Sequence, residues 1–219
     1  SRGLGDVYKR QLKGLEAVAL TDHNTCRNCP AFMAAAREYG VLAVPGMEIN
    51  TSEEVHAVCL FPNLEAALCF DSYVYGKLIR FPNNEAIFGK QQIYNEQDQV
   101  CGTEPNLLIN ATEISFDGLW ELVRSYGGVM FPAHVDKTAN SLIANLGFIP
   151  PDSRFRTAEV KDLKKLHQLQ KDNPYLDKCR IISNSDAHYL EHMNEPELTL
   201  QVEEKTVQGI LDALLGGAG

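Results

Sequence analysis

Leu15-Glu16-Ala17-Val18-Ala19-Leu20-Thr21-Asp22-His23-Asn24 is an apolar run that ends in metal-ligand chemistry. The same construction returns at Gly46-Met47-Glu48, Val55-His56-Ala57, Pro132-Ala133-His134 and Ser185-Asp186-Ala187-His188. Runs of this kind predict strands, because β-branched and apolar residues over four to eight positions suit a buried sheet. Five ligand-type residues, His23, Glu48, His134, Asp186 and His188, follow a predicted strand at its C-terminal end. In an α/β barrel all such ends open on one face.

Working outward, Pro30 to Tyr39 reads as an Ala-rich helix stopped by Gly40. Val41 to Val44 restarts a strand, which delivers Glu48 after a Pro-Gly turn, and Val55 to Phe61 is another strand. Asn63 can cap a long helix through Phe81, and Ser115 a second one from Phe116 to Tyr126, closed by Gly127-Gly128. Between them Gly89 to Asn110 is polar and reads as an insertion, a hairpin by its short apolar pieces. Val129-Met130-Phe131 leads to His134, Thr157 to Val160 is a short strand, and Asp162 to Lys171 a charged surface helix. Ile181-Ile182 leads to Asp186, and Leu198 to Val202 precedes a final helix, Thr206 to Leu215. Strand and helix alternate over the whole length, so the class is α/β with a mainly parallel sheet or barrel.

The 219 residues, 44% hydrophobic and 22% charged, suffice for one globular domain with a sizeable core. Acidic residues outnumber basic ones 29 to 20, a formal charge of -9, which argues against extended nucleic-acid binding. No stretch reaches the roughly 20 consecutive apolar residues of a membrane span, and nothing resembles a secretory signal, so a cytoplasmic protein is expected. The six cysteines form no regular framework, and reduced thiols are the favoured state. Cys26 and Cys29 make a C-x-x-C, but no second pair completes a zinc site. Ser1 to Gln11, glycine-broken and basic, reads as a foreign or disordered start, with the domain running from Leu12 to Gly219.

Hydrolytic metal sites mix imidazole with carboxylate, because neutral nitrogen donors suit Zn, Mn or Fe while carboxylates bridge ions and offset their charge. His23, Glu48, His56, His134, Asp186 and His188 provide that mix. Asp186 and His188 are two apart, so in extended backbone they share a face. Singly, each has an ordinary role: a His in the core, or a carboxylate as cap or loop anchor. Four of six histidines and two carboxylates in one sequence context make independent ordinary roles a poor explanation. His167, in a charged helix, reads as solvated, and His192, four residues after His188, has a helical ligand spacing.

In order and spacing, Thr21-Asp22-His23-Asn24, Gly46-x-Glu48, Val55-His56, Pro132-Ala133-His134 and Ser185-Asp186-Ala187-His188 resemble the motifs of the PHP family, the polymerase and histidinol phosphatase domain. The resemblance covers Leu12 to about Leu215 and implies a distorted seven-stranded TIM-like barrel holding two or three divalent metals. It implies phosphoester hydrolysis by metal-activated water, on a nucleotide, short oligonucleotide or other small phosphoester. Catalysis would rest on Glu48 and Asp186. Glu48 would bridge two metals, His56 and His134 complete the second metal's ligands, and Asp186 bind the first. His23 and His188 would serve the third, and Asp22 would orient a ligand. Lys137, three residues past His134, is a candidate phosphate contact. The family's opening His-x-His strand has no counterpart before His23, so the resemblance implies a barrel without its first strand. Two other functions use similar residues: a metal-binding regulatory domain without catalysis, and an amidohydrolase-type barrel acting at amide carbon.

Overall fold

The computed structural model describes residues 15–184 and 198–216. Ser1 to Gln11, Asp186, His188 and His192 therefore lie outside the described residues. Strands β1 (Ala17–Leu20), β2 (Leu42–Asn50), β3 (His56–Leu60) and β6 (Val129–Pro132) form one sheet in the order β1-β2-β3-β6. A hairpin, β4 (Gln92–Tyr94) with β5 (Val100–Thr103), and a parallel pair, β7 (Thr157–Glu159) with β8 (Arg180–Ile182), complete the strands. Helices α1 (Cys29–Glu38), α2 (Leu64–Lys77), α3 (Glu85–Phe88), α4 (Phe116–Ser125), α5 (Leu142–Leu146), α6 (Leu166–Asp172) and α7 (Val207–Leu214) connect and cover them. No described helix is long and apolar enough to cross a membrane.

The α/β class holds, and the expected mainly parallel arrangement is corrected. β1 and β2 are parallel, but β3 runs antiparallel to both β2 and β6. Among the described residues no sheet closes on itself. The Pro45-Gly46 turn is also corrected: both residues lie inside the nine-residue strand β2. Gly46 faces Leu60 in the register, and a Cβ there would meet the Cys59 carbonyl oxygen at 2.7 Å, so only glycine lets β3 approach.

Both faces of the main sheet are covered, which explains strands that read as apolar runs rather than alternating ones. Ala43, Met47, Ile49, Ala57, Cys59 and Met130 point into a core shared with α1, α2 and α4. Val44, Val58, Leu60, Val129 and Phe131 point the other way, onto Ile210, Leu211 and Leu214 of α7. The two-residue strand period then puts Glu48 and His56 on the α7-side face, in step with Val44 and Val58.

Asn63, Ser115 and Thr206 cap their helices through side-chain acceptors for Ala66, Gly118 and Gly209 N–H groups. Helix α2 stops at Lys77 instead of Phe81, because Leu78 turns extended to bridge Thr112 while the Ile79 N–H donates to the Ala111 carbonyl. The inserted segment therefore leaves the domain at about residue 78 and returns near 112, wider than its polar composition suggests. Leu198 to Val202 forms no strand with the described residues; Leu200 and Val202 pack beside α7.

Candidate metal centre

Antiparallel β3 brings the centre together. Its first residue, His56, lies opposite Asn50 at the C-terminal end of β2, and β6, reversed again, ends at the same edge just before His134. β1 reaches that edge through a parallel bridge between His23 and Glu48, with the Glu48 N–H donating to the Asp22 carbonyl and the Asn24 N–H to the Glu48 carbonyl. Ligand atoms of His23, Glu48 and His56 all fall within 4.8 Å of one another. The His56 ring centre is 5.1 Å from that of His23 and 5.4 Å from that of His134. His134 has φ +32, a left-handed turn that a non-glycine residue adopts only when its surroundings hold it. The Ala133 N–H to the His56 carbonyl and the Val135 N–H to the Glu159 carbonyl are those holds.

His56 Nδ1 lies 2.8 Å from Glu48 Oε1, and His134 Nε2 is 3.8 Å from the same oxygen. Burial works to raise the Glu48 carboxyl, but the His56 hydrogen bond and the charges of His23, His56 and His134 outweigh it and hold the pKa below the ordinary value. Glu48 is thus an ionised carboxylate in a buried position, 7% exposed. His56 Nε2 is buried and has no hydrogen-bond partner among the described residues. In the tautomer that gives Nδ1–H to Glu48, Nε2 is a lone-pair acceptor facing no donor, which costs about 1–3 kcal/mol unless something fills the role.

These residues fit a divalent cation. Ligands of one tetrahedral zinc at about 2.1 Å lie roughly 3.4 Å apart, so a 4.8 Å envelope closes with small side-chain rotations. His23, Glu48 and His56 would hold such an ion, with His134 beside them.

Glu159, the last residue of β7, joins the centre although the motif pattern does not mark it. It is 3% exposed; Oε1 lies 3.9 Å from His134 Nδ1, and Oε2 accepts from Asn184 Nδ2 at 3.2 Å. That separation is ion-pair range, longer than a hydrogen bond, and a small rotation would bring the carboxylate onto the ring nitrogen, where it would orient a metal-binding histidine. Its signal was positional: a carboxylate inside the short predicted strand Thr157 to Val160, one residue from its end, where Glu48 and His134 follow theirs. Asp22 turns its carboxylate Oδ2 to Asn28 Nδ2 at 3.1 Å. Lys137 is half-buried, in the turn where its N–H donates to the His134 carbonyl. Cys26 and Cys29 are buried, and both thiols donate to the Gly46 carbonyl, at 3.2 and 3.5 Å. That pair is a packing element of β2 and α1.

The loop carrying His23 is fixed from three directions. Asp71 of α2 accepts from Thr25 Oγ1 at 2.8 Å and from the Cys26 N–H at 2.7 Å. Arg27 pairs with Glu104 at 2.5 Å and lies over the Tyr75 ring, its centre 4.3 Å away. Asn24 donates to the Leu108 and Asn110 carbonyls, Asn50 donates to the Ile109 carbonyl, and Asn28 pairs with the Tyr94 N–H and Gln92 carbonyl. Four of these anchors (Asn24, Arg27, Asn28, Asn50) dock the inserted segment beside the centre. Between segment and loop lies a cleft of about 270 Å³.

A family model described as the PHP domain matches residues 7–217. Among solved structures, the fold is similar to the lesion-specific endonuclease PfuEndoQ from Pyrococcus furiosus, with TM-score 0.61 and 17% identity, covering 98% of this chain and 51% of that one. Endonuclease Q bound to a 27-mer duplex with an abasic lesion at its active site matches with TM-score 0.59 and 17% identity over the same shares. A candidate metal-dependent phosphoesterase from Bifidobacterium adolescentis matches with TM-score 0.54 and 14% identity, over 96% of this chain and 90% of that one. The chain spans about half the length of the endonuclease Q chains. A comparison with curated proteins finds no match.

Proposed function

The chain belongs to the PHP domain family, and from that premise we propose that it is a phosphoesterase hydrolysing a small nucleotide or short oligonucleotide phosphoester. The observation that carries this reading is the convergence of His23, Glu48 and His56 within 4.8 Å at one sheet edge, with His134 and Glu159 adjoining. Divalent ions held by such donors supply positive charge against phosphoryl oxygens and lower the pKa of water.

The chain's own part is positioning. Glu48 stays ionised because three imidazoles surround it, so it meets a cation without first losing a proton. His56 Nδ1 faces Glu48 Oε1 at 2.8 Å, and the tautomer with its proton on that nitrogen would leave Nε2 as a donor atom for a metal. Glu159 would hold the His134 ring, and burial of Glu48, His56 and His134 keeps bulk water from screening the charges. Asp186 and His188 complete the proposed ligand set, Asp22 stiffens the His23 loop through Asn28, and Lys137 is the proposed phosphate contact. Two or three ions of Zn, Mn or Fe are proposed. In the barrel reading, β7 would follow β6 around the barrel, and the Val135 N–H donating to the Glu159 carbonyl just past β6 supports that neighbourhood. The thiols of all six cysteines are free, which suits the reducing cytoplasm.

Chromogenic phosphomonoesters and phosphodiesters, assayed with the Mn- or Zn-loaded chain, test the proposal. Chelator-sensitive hydrolysis is expected, reduced at least 100-fold in Glu48→Gln. Metal retention without hydrolysis of any ester would replace it with the regulatory reading, and hydrolysis of amides alone with the amidohydrolase one.

A further inference from the structure

His134 follows β6 and Glu159 ends β7, yet no sheet ladder joins these two strands among the described residues. Just past β6 the Val135 N–H donates to the Glu159 carbonyl at 2.9 Å. Asp136, the next residue, turns its carboxylate across the same gap. Oδ1 accepts from the Lys161 N–H at 2.8 Å and Oδ2 from the Asp162 N–H at 2.9 Å. A carboxylate that spends both oxygens on consecutive backbone donors stands in for sheet pairing, and it fixes separation and angle together. This clasp lies two residues past His134 on one strand exit and begins two residues past Glu159 on the other.

The chain on either side of Asp136 carries that constraint to the centre. The Lys137 N–H closes a turn onto the His134 carbonyl at 2.9 Å, and Ser141, fully buried, donates from Oγ to the Lys137 carbonyl at 2.7 Å. The Asn140 carbonyl accepts from the His56 N–H at 3.0 Å, so the loop that leaves His134 returns to His56. His134 itself has φ +32, a conformation its own backbone disfavours, and its ring direction therefore depends on bonds made by its neighbours. The turn after β7 does not need Asp136 as a cap. Asp162 Oδ1 already accepts from the Lys164 N–H at 3.1 Å and starts the short helical turn Leu163–Lys165. What Asp136 adds is the link between the two exits.

We infer that Asp136 is a positioning residue of the metal centre: its carboxylate locks the β6 exit to the β7 exit and so sets where the His134 ring stands between Glu48 and Glu159. His134 Nε2 is 3.8 Å from Glu48 Oε1 and Nδ1 is 3.9 Å from Glu159 Oε1, so a shift of the loop alters both separations at once. Metal ligands need placing to within about 0.5 Å. Residues that orient a metal-binding histidine from outside are worth roughly 10- to 100-fold in affinity, and Asp136, acting through the backbone of one ligand, belongs at the lower end. The inference rests on His134 as a metal ligand, whichever ester the centre hydrolyses.

The test is a double-mutant cycle read by Zn binding, with the full chain stripped by chelator and titrated against a competing indicator. Asp136→Ala is expected to lower Zn affinity about tenfold in the native background. In a His134→Ala background, where the ring it positions is gone, the same change should cost less than about twofold. Asp136→Asn keeps one acceptor oxygen and should fall between Asp136→Ala and the native chain; it gives the answer where the Ala variant does not fold. Urea midpoints of the metal-free variants, measured alongside, separate affinity from stability. A lower midpoint with unchanged Zn affinity, an equal loss of affinity in both backgrounds, or no Zn held by the native chain would overturn the inference. Coupling of Asp136 to His134 in a chain that cleaves no ester would uphold it and remove the phosphoesterase reading. Ester hydrolysis without that coupling would do the reverse.

Discussion

Replacing Asp71 by Ala removes the anchor that holds the His23 loop to helix α2. Asp71 is 6% exposed and accepts two hydrogen bonds, from Thr25 Oγ1 at 2.8 Å and the Cys26 N–H at 2.7 Å. Both donors are buried with it, so in the Ala variant neither recovers a bond to water. Hydrogen bonds to a charged group contribute about 1.5–3 kcal/mol each, so the pair predicts a loss of about 3–6 kcal/mol. The Arg27 pair at 3.6 Å adds little, since Arg27 is 30% exposed and keeps Glu104. Asp71→Asn retains an acceptor for Thr25 and Cys26 and should lose only about 1–2 kcal/mol. Urea unfolding of the metal-free chain reads both variants. With m near ~2.5 kcal/mol/M, Asp71→Ala should move the midpoint down by about 1.5 M. A shift below ~0.4 M, or equal losses in the two variants, would refute the assigned role.

Glu48 gives a pH dependence of defined sign. Its pKa in the folded chain is below the ordinary 4.5, so its contribution is fully present at neutral pH and is lost as pH falls below about 4.5 through the folded value. In the metal-free chain, Glu48→Gln should show a flatter stability profile than the native sequence across that acid window, measured by thermal melts from pH 6 to pH 3. Gly46→Ala would set a Cβ 2.7 Å from both the Cys59 carbonyl oxygen and Leu60 Cδ2, and should cost about 1–3 kcal/mol in chemical denaturation.

Much of the centre was legible because strand ends mark it. Thr21-Asp22-His23, Glu48, His56 and His134 stand out as polar ligands closing apolar runs, and all four imidazole and carboxylate groups meet at one edge. The direction of β3 was legible too, through loop length. Thr51 to Val55 is five residues, too short for the crossover a parallel pair needs and right for an antiparallel one. Strand–helix alternation hid it. Pro45-Gly46 reads as a turn by local propensity, yet sheet register overrides it, since Pro45 needs only its carbonyl, which accepts from the Phe61 N–H. The docking of the inserted segment was not legible, because Asn24 and Asn50 find their carbonyl partners 59 to 86 residues away. Short polar side chains at loop positions carry no mark of such distant partners. Asp186 and His188 lie outside the described residues, and their place in the ligand set is a proposal.

Metal titration tests the central claim most directly, with the chain stripped by chelator and refilled with Zn or Mn in the presence of a competing indicator. The convergence of His23, Glu48 and His56 predicts a tightly held ion whose affinity falls at least tenfold in His56→Ala and in the near-isosteric Glu48→Gln, both folded by circular dichroism. Affinity unchanged in both variants, or no ion held by the unaltered chain, would contradict the centre built on these residues.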